Sequence, residues 1–249
     1  MNEATVHALA AINRAFYRDH ADEFSAARTA PWPGWEALVP ALRDAARAGA
    51  LRVLDVGCGH GRFARYLAES LPAAAIELCG VDASEPLLAA ARRAGPPGAR
   101  WETADVVDAP DALPAGPFDL VALIAVIHGV PSRERRRSLL AACAHRLAPG
   151  GLLVFTTWRA TDDARIRERL LDWNSYSARA RMPIDCSQLE PGDHLIPWGD
   201  GDDVVRYFHA FDDAELATCS EGLPLALERR YRADGRTGDQ NEYFVFRAR

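Results

Sequence analysis

A chain of 249 residues can bury about 70–75% of the surface that its unfolded form exposes, so it needs neither disulfides nor a partner to fold. All 29 basic residues are arginine, which excludes Schiff-base chemistry and a phosphate loop built on lysine. The net charge of −6 argues against indiscriminate binding to nucleic acid or to anionic membranes.

The first part of the chain is predicted to be helical. Apolar spacing predicts a helix from Glu3 to His20. The residues that recur on one face of this helix are Val6, Leu9, Ile12, Asn13 and Phe16. The PWPG segment from Pro31 to Gly34 ends the pattern, and a second helix is predicted from Trp35 to Ala48. We therefore expect residues 1–49 to form an N-terminal helical cap.

The middle of the chain alternates between short apolar runs and segments of helix length. The first run is LRVLDVG, which is typical of a buried strand. Further strands are predicted at Ile76–Val81, Arg100–Thr103, Phe118–Ile124 and Leu152–Thr157. Helices are predicted near Arg62–Ser70, Glu85–Arg93 and Arg133–Leu147. Because strands separated by helices form a parallel sheet, we expect residues 50–158 to be a doubly wound core.

Two β-rich runs close the chain. ALERRYRADG and QNEYFVFRAR are joined by a glycine-rich turn, which is typical of an antiparallel hairpin at a sheet edge. We expect residues 212–249 to hold a helix and this hairpin, and residues 159–211 to be an insertion on the substrate side. The predicted fold class is α/β, with a single Rossmann-like domain that includes the N-terminal helices and the insertion.

The cysteines and the N-terminus bear on compartment and metal content. The five cysteines are scattered and never form a C-x-x-C pair, so neither a zinc cage nor a disulfide framework is predicted, and no metal is expected. The N-terminus has no basic leader followed by an apolar run. We therefore expect a cytoplasmic protein without membrane contact.

The segment DVGCGHG follows the first predicted strand. Gly57, Gly59 and Gly61 occupy alternate positions, which allows positive φ angles and a close approach of backbone N–H groups to a ligand. Asp55 stands two residues before the first glycine. The dinucleotide fingerprint has the spacing G-x-G-x-x-G and lacks this acid, so the segment departs from it. NAD binding is nevertheless the competing interpretation.

Acidic residues also follow the second and third predicted strands. Asp82 is placed to accept hydrogen bonds from both hydroxyls of a ribose, unless it caps the next helix, a role that Ser84 fits better. Asp105 is placed to accept from an exocyclic adenine amine while the Val106 N–H meets a ring nitrogen; the alternative is a solvated loop aspartate. Ligands of open α/β sheets bind at these strand ends.

These residues, with AVIHG at 125–129 and LAPGG at 147–151, resemble the class I S-adenosylmethionine-dependent methyltransferases. The resemblance implies a seven-stranded sheet whose last strand is antiparallel, with S-adenosylmethionine as cofactor. It implies that the first acid and the glycine loop hold the methionine part, the second acid the ribose and the third acid the adenine. The residues expected to contact the cofactor are Arg28, Asp55, Gly57, Cys58, Gly59, Gly61, Asp82, Ala83, Ala104, Asp105, Val106 and Ala125.

Segments outside the core are similar to the tRNA wobble-uridine methyltransferases that esterify a 5-carboxymethyl group. These segments are FSAARTAPWPGWEALVPAL, AVIHGVPSRERRRSLL, PGDHLIPWG with VVRYFHAFDDAEL, and NEYFVF. The residues that the resemblance implies near the methionine carboxylate and the acceptor are Arg28, His128, Trp198, Arg206, Tyr207 and His209. The chain departs from this subgroup at Gly129, where a second histidine is usual, and at Asn241–Glu242, where an Asn-Trp pair is frequent.

A carboxylate acceptor needs little from the protein except position. It is ionised at neutral pH, so it can attack a sulfonium methyl without a general base. The predicted catalytic residues are Arg206, His209 and His128. An arginine fork such as that of Arg206 suits a carboxylate, although a surface charge is the alternative, and His209 could equally be a core histidine. Cys58 is most simply a small filler.

The choice of acceptor depends on charge. The run RERRR at 133–137 is either a solvated helix face or, with Arg159, Arg165, Arg167 and Arg169, part of a patch that binds RNA. Three interpretations follow: a tRNA carboxymethyluridine methyltransferase, a methyltransferase of a small metabolite's carboxylate or hydroxyl, and a cofactor-binding module without turnover. The subgroup resemblance also allows a small activating subunit.

Overall fold

Seven strands form one sheet in the order β3-β2-β1-β4-β5-β9-β8 in this computed structural model, which describes residues 1–47, 49–180 and 182–249. These strands are β1 Leu51–Val56, β2 Ile76–Asp82, β3 Arg100–Thr103, β4 Phe118–Leu123, β5 Leu147–Trp158, β8 Leu225–Ala233 and β9 Asn241–Ala248. Strands β1 to β5 are parallel, and β9 is antiparallel to both of its neighbours. The predicted fold class and the antiparallel last strand are confirmed.

Both faces of the central strands are covered, because successive side chains point to opposite sides of a sheet. Leu54 and Val56 of β1 belong to one apolar cluster, and Leu51 and Val53 belong to another. The residues of β4 divide in the same way. This continuous apolar burial is what the run LRVLDVG predicted.

The helices agree with the sequence pattern in most places. They are α1 Glu3–Asp19, α2 Ala21–Ala26, α3 Val39–Ala46, α4 Arg62–Ser70, α5 Glu85–Ala94, α6 Arg133–Ala144, α7 Ala164–Arg167, α8 Trp173–Ser177 and α9 Asp213–Thr218. The second predicted helix begins instead as a 3-10 helix over Pro33–Leu38, and α3 starts at Val39. Pro40 lacks the N–H that a continuous helix from Trp35 would use. The predicted last residue of that helix, Ala48, lies outside the described residues.

The insertion contains a hairpin that the sequence pattern did not predict. Strands β6 (Asp193–Pro197) and β7 (Val205–His209) pair antiparallel, in a sheet separate from the large one. Within this hairpin, Leu195 of β6 lies opposite Tyr207 of β7. This hairpin packs against α1 and forms one wall of the cleft described below.

No helix in the described part of the chain is both long and apolar enough to cross a membrane. The cytoplasmic location stays a prediction.

Candidate active site

A cavity of about 530 Å³ opens at the carboxyl ends of the parallel strands. The glycine loop after β1 forms its floor: Gly57 and Gly59 have φ angles of 67° and 54°. A Cβ atom on Gly57 would lie 2.4 Å from the side chain of Val126, so only glycine fits this turn. The N–H groups of Gly57 and Cys58 both donate to the carbonyl of Val81, which fixes the loop to β2.

Asp82 holds the loop from the end of β2. One of its carboxylate oxygens accepts from the N–H of Gly59 and the other from the N–H of Ser84, both at 2.8 Å. Ser84 is the N-cap of α5, as expected, since its hydroxyl accepts from the N–H of Leu87. Asp82 therefore organises the loop in addition to lining the cavity, and its grip on a ribose stays a prediction.

Asp55 fits the ammonium group of a methionine moiety. It is 1% exposed, and its Oδ2 has no hydrogen-bond partner among the described residues. Burial, with the nearby charge of Asp82, raises the pKa of Asp55 to about 8. A buried, unpaired carboxyl is costly unless a cation or donor reaches it, and the ammonium of S-adenosylmethionine would supply both.

Asp105 is not the free loop aspartate that was one alternative. Its carboxylate accepts from Arg14 Nε at 2.6 Å and from the N–H of Val107 at 3.0 Å. Arg14 also pairs with Asp108 and lines the cavity. The adenine end of the site is therefore bordered by α1, which the sequence did not associate with the cofactor.

Eleven of the twelve residues expected to contact the cofactor line this cavity. The exception is Gly61, which begins α4 with a φ of 74°. A Cβ atom there would lie 2.9 Å from the ring of Trp101, so Gly61 serves helix packing rather than the cavity wall. Cys58 does line the cavity, and burial raises the pKa of its thiol, in keeping with a small neutral filler.

Two arginines reach the other end of the cavity, and neither has a carboxylate partner among the residues described. The guanidinium of Arg206 lies 4.9 Å from the ring centre of Trp198 and 5.4 Å from that of Phe16. The guanidinium of Arg28 lies 4.1 Å from the ring of Phe24. Burial lowers the pKa of Arg206 and lowers that of Arg28 to about 10. A guanidinium in a protein stays charged at neutral pH. Two uncompensated cations make this end of the cavity attractive to anions.

His128 lies beside this pair and is neutral. Burial, aided by the charge of Arg206, lowers the pKa of His128 to about 3. Its ring centre is 6.0 Å from that of Trp158, and its buried Nδ1 has no partner among the described residues. A neutral imidazole keeps one N–H and one acceptor nitrogen. With so low a pKa it is a weak base, and it lacks the acidic proton of an imidazolium.

His209 lies outside the cavity lining, so the structure does not bring it to the predicted site. Its Nδ1 is 2.9 Å from Asp193 and its Nε2 is 2.8 Å from Glu215. Burial opposes the imidazolium, but the hydrogen bonds to these acids prevail and raise the pKa of His209. His209 is therefore a core histidine, which was the alternative to a catalytic role.

The same buried cluster contains Arg136, which donates to Glu190 at 2.5 Å and to Glu215 at 2.6 Å. Glu190, Asp193 and His209 place possible metal-ligand atoms within 4.8 Å of one another. The guanidinium already compensates their charge, so the group is an ion-pair network within the described structure.

The arginine run at the start of α6 is only partly the solvated face that was one alternative: Arg133 and Arg137 are exposed, and Arg136 is buried. A patch that binds RNA stays a prediction. Arg136 is 2% exposed and belongs to the network above. Arg135 pairs with Glu3 at 2.7 Å, and Arg137 donates to the carbonyls of Thr218 and Glu221. Helical spacing turns successive residues toward different neighbours, and the expectation is wrong for Arg136 in particular.

Several residues at the acceptor end had no signal in the sequence. Phe16, Tyr17 and Asn13 come from α1, and Trp158 comes from the end of β5. The sequence pattern places Asn13 only on one face of α1. Its contact with β7 depends on how the two elements pack in the folded chain. The sequence did single out Trp198 and Tyr207. Trp198 lies against Arg206 at this end. Tyr207 borders the cavity, but its hydroxyl donates to Asp193 at 2.7 Å in the buried network.

Comparison with known proteins identifies the core. Residues 53–151 match a family model described as a methyltransferase domain. The trans-aconitate 2-methyltransferase of Streptomyces avermitilis is 41% identical over 143 residues, which cover 56% of this chain and 48% of the relative. A tRNA (carboxymethyluridine(34)-5-O)-methyltransferase of Xenopus tropicalis is 28% identical over 261 residues, which cover 88% of this chain and 38% of the relative. The chain thus spans about half or less of the length of these relatives.

Solved structures share the fold. The magnesium protoporphyrin IX methyltransferase of Synechocystis PCC 6803, with bound SAH, has a TM-score of 0.63 at 15% identity and covers 96% of this chain and 99% of its own. At this identity the likeness shows the fold alone. The family match confirms the predicted methyltransferase domain, with which S-adenosylmethionine as the cofactor is consistent.

Proposed function

We propose that the whole protein methylates a carboxylate oxygen. Its residues 53–151 carry a domain of the class I S-adenosylmethionine-dependent methyltransferase type. The observation that carries this proposal is the pair of uncompensated guanidinium groups, Arg206 and Arg28, at the acceptor end of the cavity. One would face the methionine carboxylate of the cofactor and the other the acceptor. A fork of N–H donors orients a carboxylate better than any other side chain does.

The protein's own part in this reaction is to bind, orient and exclude water. S-adenosylmethionine, when bound, supplies a methyl group on a positively charged sulfur. Arg206 holds the acceptor carboxylate, whose lone pair needs no base because the group is already ionised. The neutral ring of His128 lines the cavity beside Arg206 and adds no charge of its own. Phe16, Trp158 and Trp198 surround the fork with apolar surface, which strengthens the ion pair and keeps water out.

A hydroxyl acceptor fits this geometry less well. It would have to lose a proton, and the imidazole at this end of the cavity, His128, is a weak base because its pKa lies near 3. It would also leave the charge of Arg206 without a partner in the complex. These two points favour the carboxylate.

Two sources of the carboxylate are consistent with the relatives. The 5-carboxymethyl group of a wobble uridine in tRNA is favoured by the Xenopus alignment, which covers 88% of this chain and so extends far beyond residues 53–151. A small polycarboxylate of the trans-aconitate type is the second candidate, favoured by the higher identity of that relative and by the internal contacts of the α6 arginines. The expected activating subunit stays a prediction.

The test uses radiolabelled S-adenosylmethionine with two acceptors in parallel: tRNA from a strain that lacks the gene, and free trans-aconitate. We expect label in one of them that mild alkali releases as methanol, because only a methyl ester is hydrolysed under these conditions. Label in the tRNA selects the nucleoside and label in trans-aconitate selects the small acid. Alkali-stable label, or cofactor binding without transfer to any carboxylate offered, would contradict the proposal.

A further inference from the structure

The side chain of Asn13 joins helix α1 to the backbone of strand β7. Its Nδ2 donates to the carbonyl of Tyr207 and its Oδ1 accepts from the N–H of the same residue, each at 3.0 Å. Tyr207 pairs with Leu195 across the hairpin, and these two backbone groups bond to Asn13 instead of to β6. One amide thus satisfies both backbone groups of a strand residue, as a neighbouring strand would.

The same amide reaches the turn that follows β4. Asn13 Nδ2 also lies 3.4 Å from the carbonyl of Gly129. A Cβ atom at position 129 would lie 3.4 Å from that nitrogen, in ordinary van der Waals contact, so a side chain at this position would border Asn13. The position at which the tRNA methyltransferases usually have a second histidine is therefore the one that faces Asn13 in this chain.

Tyr207 and Gly129 are the chain neighbours of the two acceptor-site residues. Arg206 immediately precedes Tyr207, and His128 immediately precedes Gly129. The backbone bonds of Asn13 therefore restrain the two segments from which the fork and the imidazole project. A displacement of about 1 Å is enough to reduce a rate strongly when catalysis depends on position.

We propose that Asn13 is the positioning residue of the acceptor site, acting on Arg206 and His128 through the backbone of Tyr207 and Gly129. This inference rests on the proposed carboxylate acceptor. Helix α1, which lies outside residues 53–151, then contributes to the acceptor site. The cofactor side of the cavity is held by Asp82 and the glycine loop, to which Asn13 makes no hydrogen bond.

A purely structural role of Asn13 as an anchor of α1 is the interpretation to exclude. Asn2 supplies the matched control: it caps the same helix, its Oδ1 accepting from the N–H of Thr5 at 2.9 Å, and it does not line the cavity. Asn2→Ala weakens the helix without touching β7. Asn13→Ala removes all three bonds, whereas Asn13→Asp keeps an acceptor for the Tyr207 N–H and loses the donated bonds.

The experiment measures amide hydrogen exchange at Tyr207, the Kd of S-adenosylmethionine, and acceptor kinetics with the carboxylate that the wild type methylates. We expect Asn13→Ala to speed exchange at Tyr207 and to lower kcat/KM for the acceptor on the order of tenfold or more, as for the loss of two or three hydrogen bonds. Cofactor Kd should stay within about twofold of the wild type. Asn13→Asp should keep Tyr207 protected yet lose acceptor kcat/KM, and Asn2→Ala should change neither.

Unchanged acceptor kinetics in both Asn13 variants, or an equal loss in Asn2→Ala, would overturn the inference. A cofactor Kd weakened as much as kcat/KM would make Asn13 a cofactor residue and overturn it as well. If the wild type methylates no carboxylate, the proposed function fails, and this is recognised before any variant is measured. In that case binding of trans-aconitate, followed by the fluorescence of Trp158 and Trp198, still tests whether Asn13 positions an anion site.

Discussion

Two arginine–histidine pairs lie on opposite sides of strand β7, one buried and one half-buried, and their surroundings differ. On one side, Arg136 and His209 meet three carboxylates, and the pKa of the histidine is raised. On the other, Arg206 and His128 meet aromatic rings and no carboxylate among the described residues, and the pKa of the histidine is lowered. Alternation of side chains along the strand separates residues 206 and 209 onto these two sides.

The difference assigns the two pairs to different tasks. A buried cation surrounded by acids is satisfied within the fold, and it joins α6, β6, β7 and α9 into one unit. A partly desolvated cation without an acid costs stability in the free protein and gains its partner only when an anion binds. We therefore read the Arg136 side as structural and the Arg206 side as the place where the acceptor binds.

The largest expected effect is on the structural side. Arg136→Met leaves the buried Glu215 and the half-buried Glu190 without their cation and should lower the free energy of unfolding by about 3–5 kcal/mol. Urea denaturation followed by circular dichroism measures it. Arg133→Met is the matched control, since this exposed residue begins the same helix, and it should stay within about 0.5 kcal/mol of the wild type. Equal stability of the two variants would remove the contrast between the sides of β7.

On the acceptor side the expected effect is on turnover and not on stability. Arg206→Met should lower kcat/KM by about 10- to 150-fold, which corresponds to the loss of about 1.5–3 kcal/mol from hydrogen bonds to a charged group. Its free energy of unfolding should equal or exceed that of the wild type, because an uncompensated charge is removed. Arg206→Lys, which keeps the charge without the fork, should recover only part of the rate. A clear loss of stability in Arg206→Met, with turnover intact, would reverse our assignment.

The two histidines should give opposite pH dependences of stability, and this is the smallest effect. The lowered pKa of His128 means that the unfolded chain binds the extra proton, so stability from this residue is present above pH 6.5 and falls by about 2 kcal/mol by pH 5. The raised pKa of His209 means that the folded chain keeps the proton, so its contribution is present below pH 6.5 and is lost as the pH rises.

Unfolding free energies of His128→Gln and His209→Gln, measured at pH 5, 6.5 and 8, separate these contributions from those of other groups. We expect His128→Gln to flatten the acid side of the wild-type profile and His209→Gln to flatten its alkaline side. Profiles that kept the slopes of the wild type would mean that folding shifts the pKa of neither ring, which contradicts the assigned difference.

The sequence by itself determined the parallel sheet, the final hairpin, the glycine loop and the acids at the strand ends. Each of these depends on residues close together in the chain: apolar runs form strands, Gly57 and Gly59 form a turn, and the end of a strand fixes where Asp55, Asp82 and Asp105 lie. Such local patterns predict the same local structure whatever the rest of the chain does.

Only the tertiary structure decided which buried charges have partners. Arg136 lies in a run of four arginines that looks solvated, and Arg206 lies among mixed residues, yet Arg136 is compensated and Arg206 is not. Asn13 and Gly129 are 116 positions apart, and their contact depends on how α1 packs against β7. The pKa of a buried histidine is set by desolvation and by charges from distant segments, so the opposite shifts of His128 and His209 arise only when the chain folds.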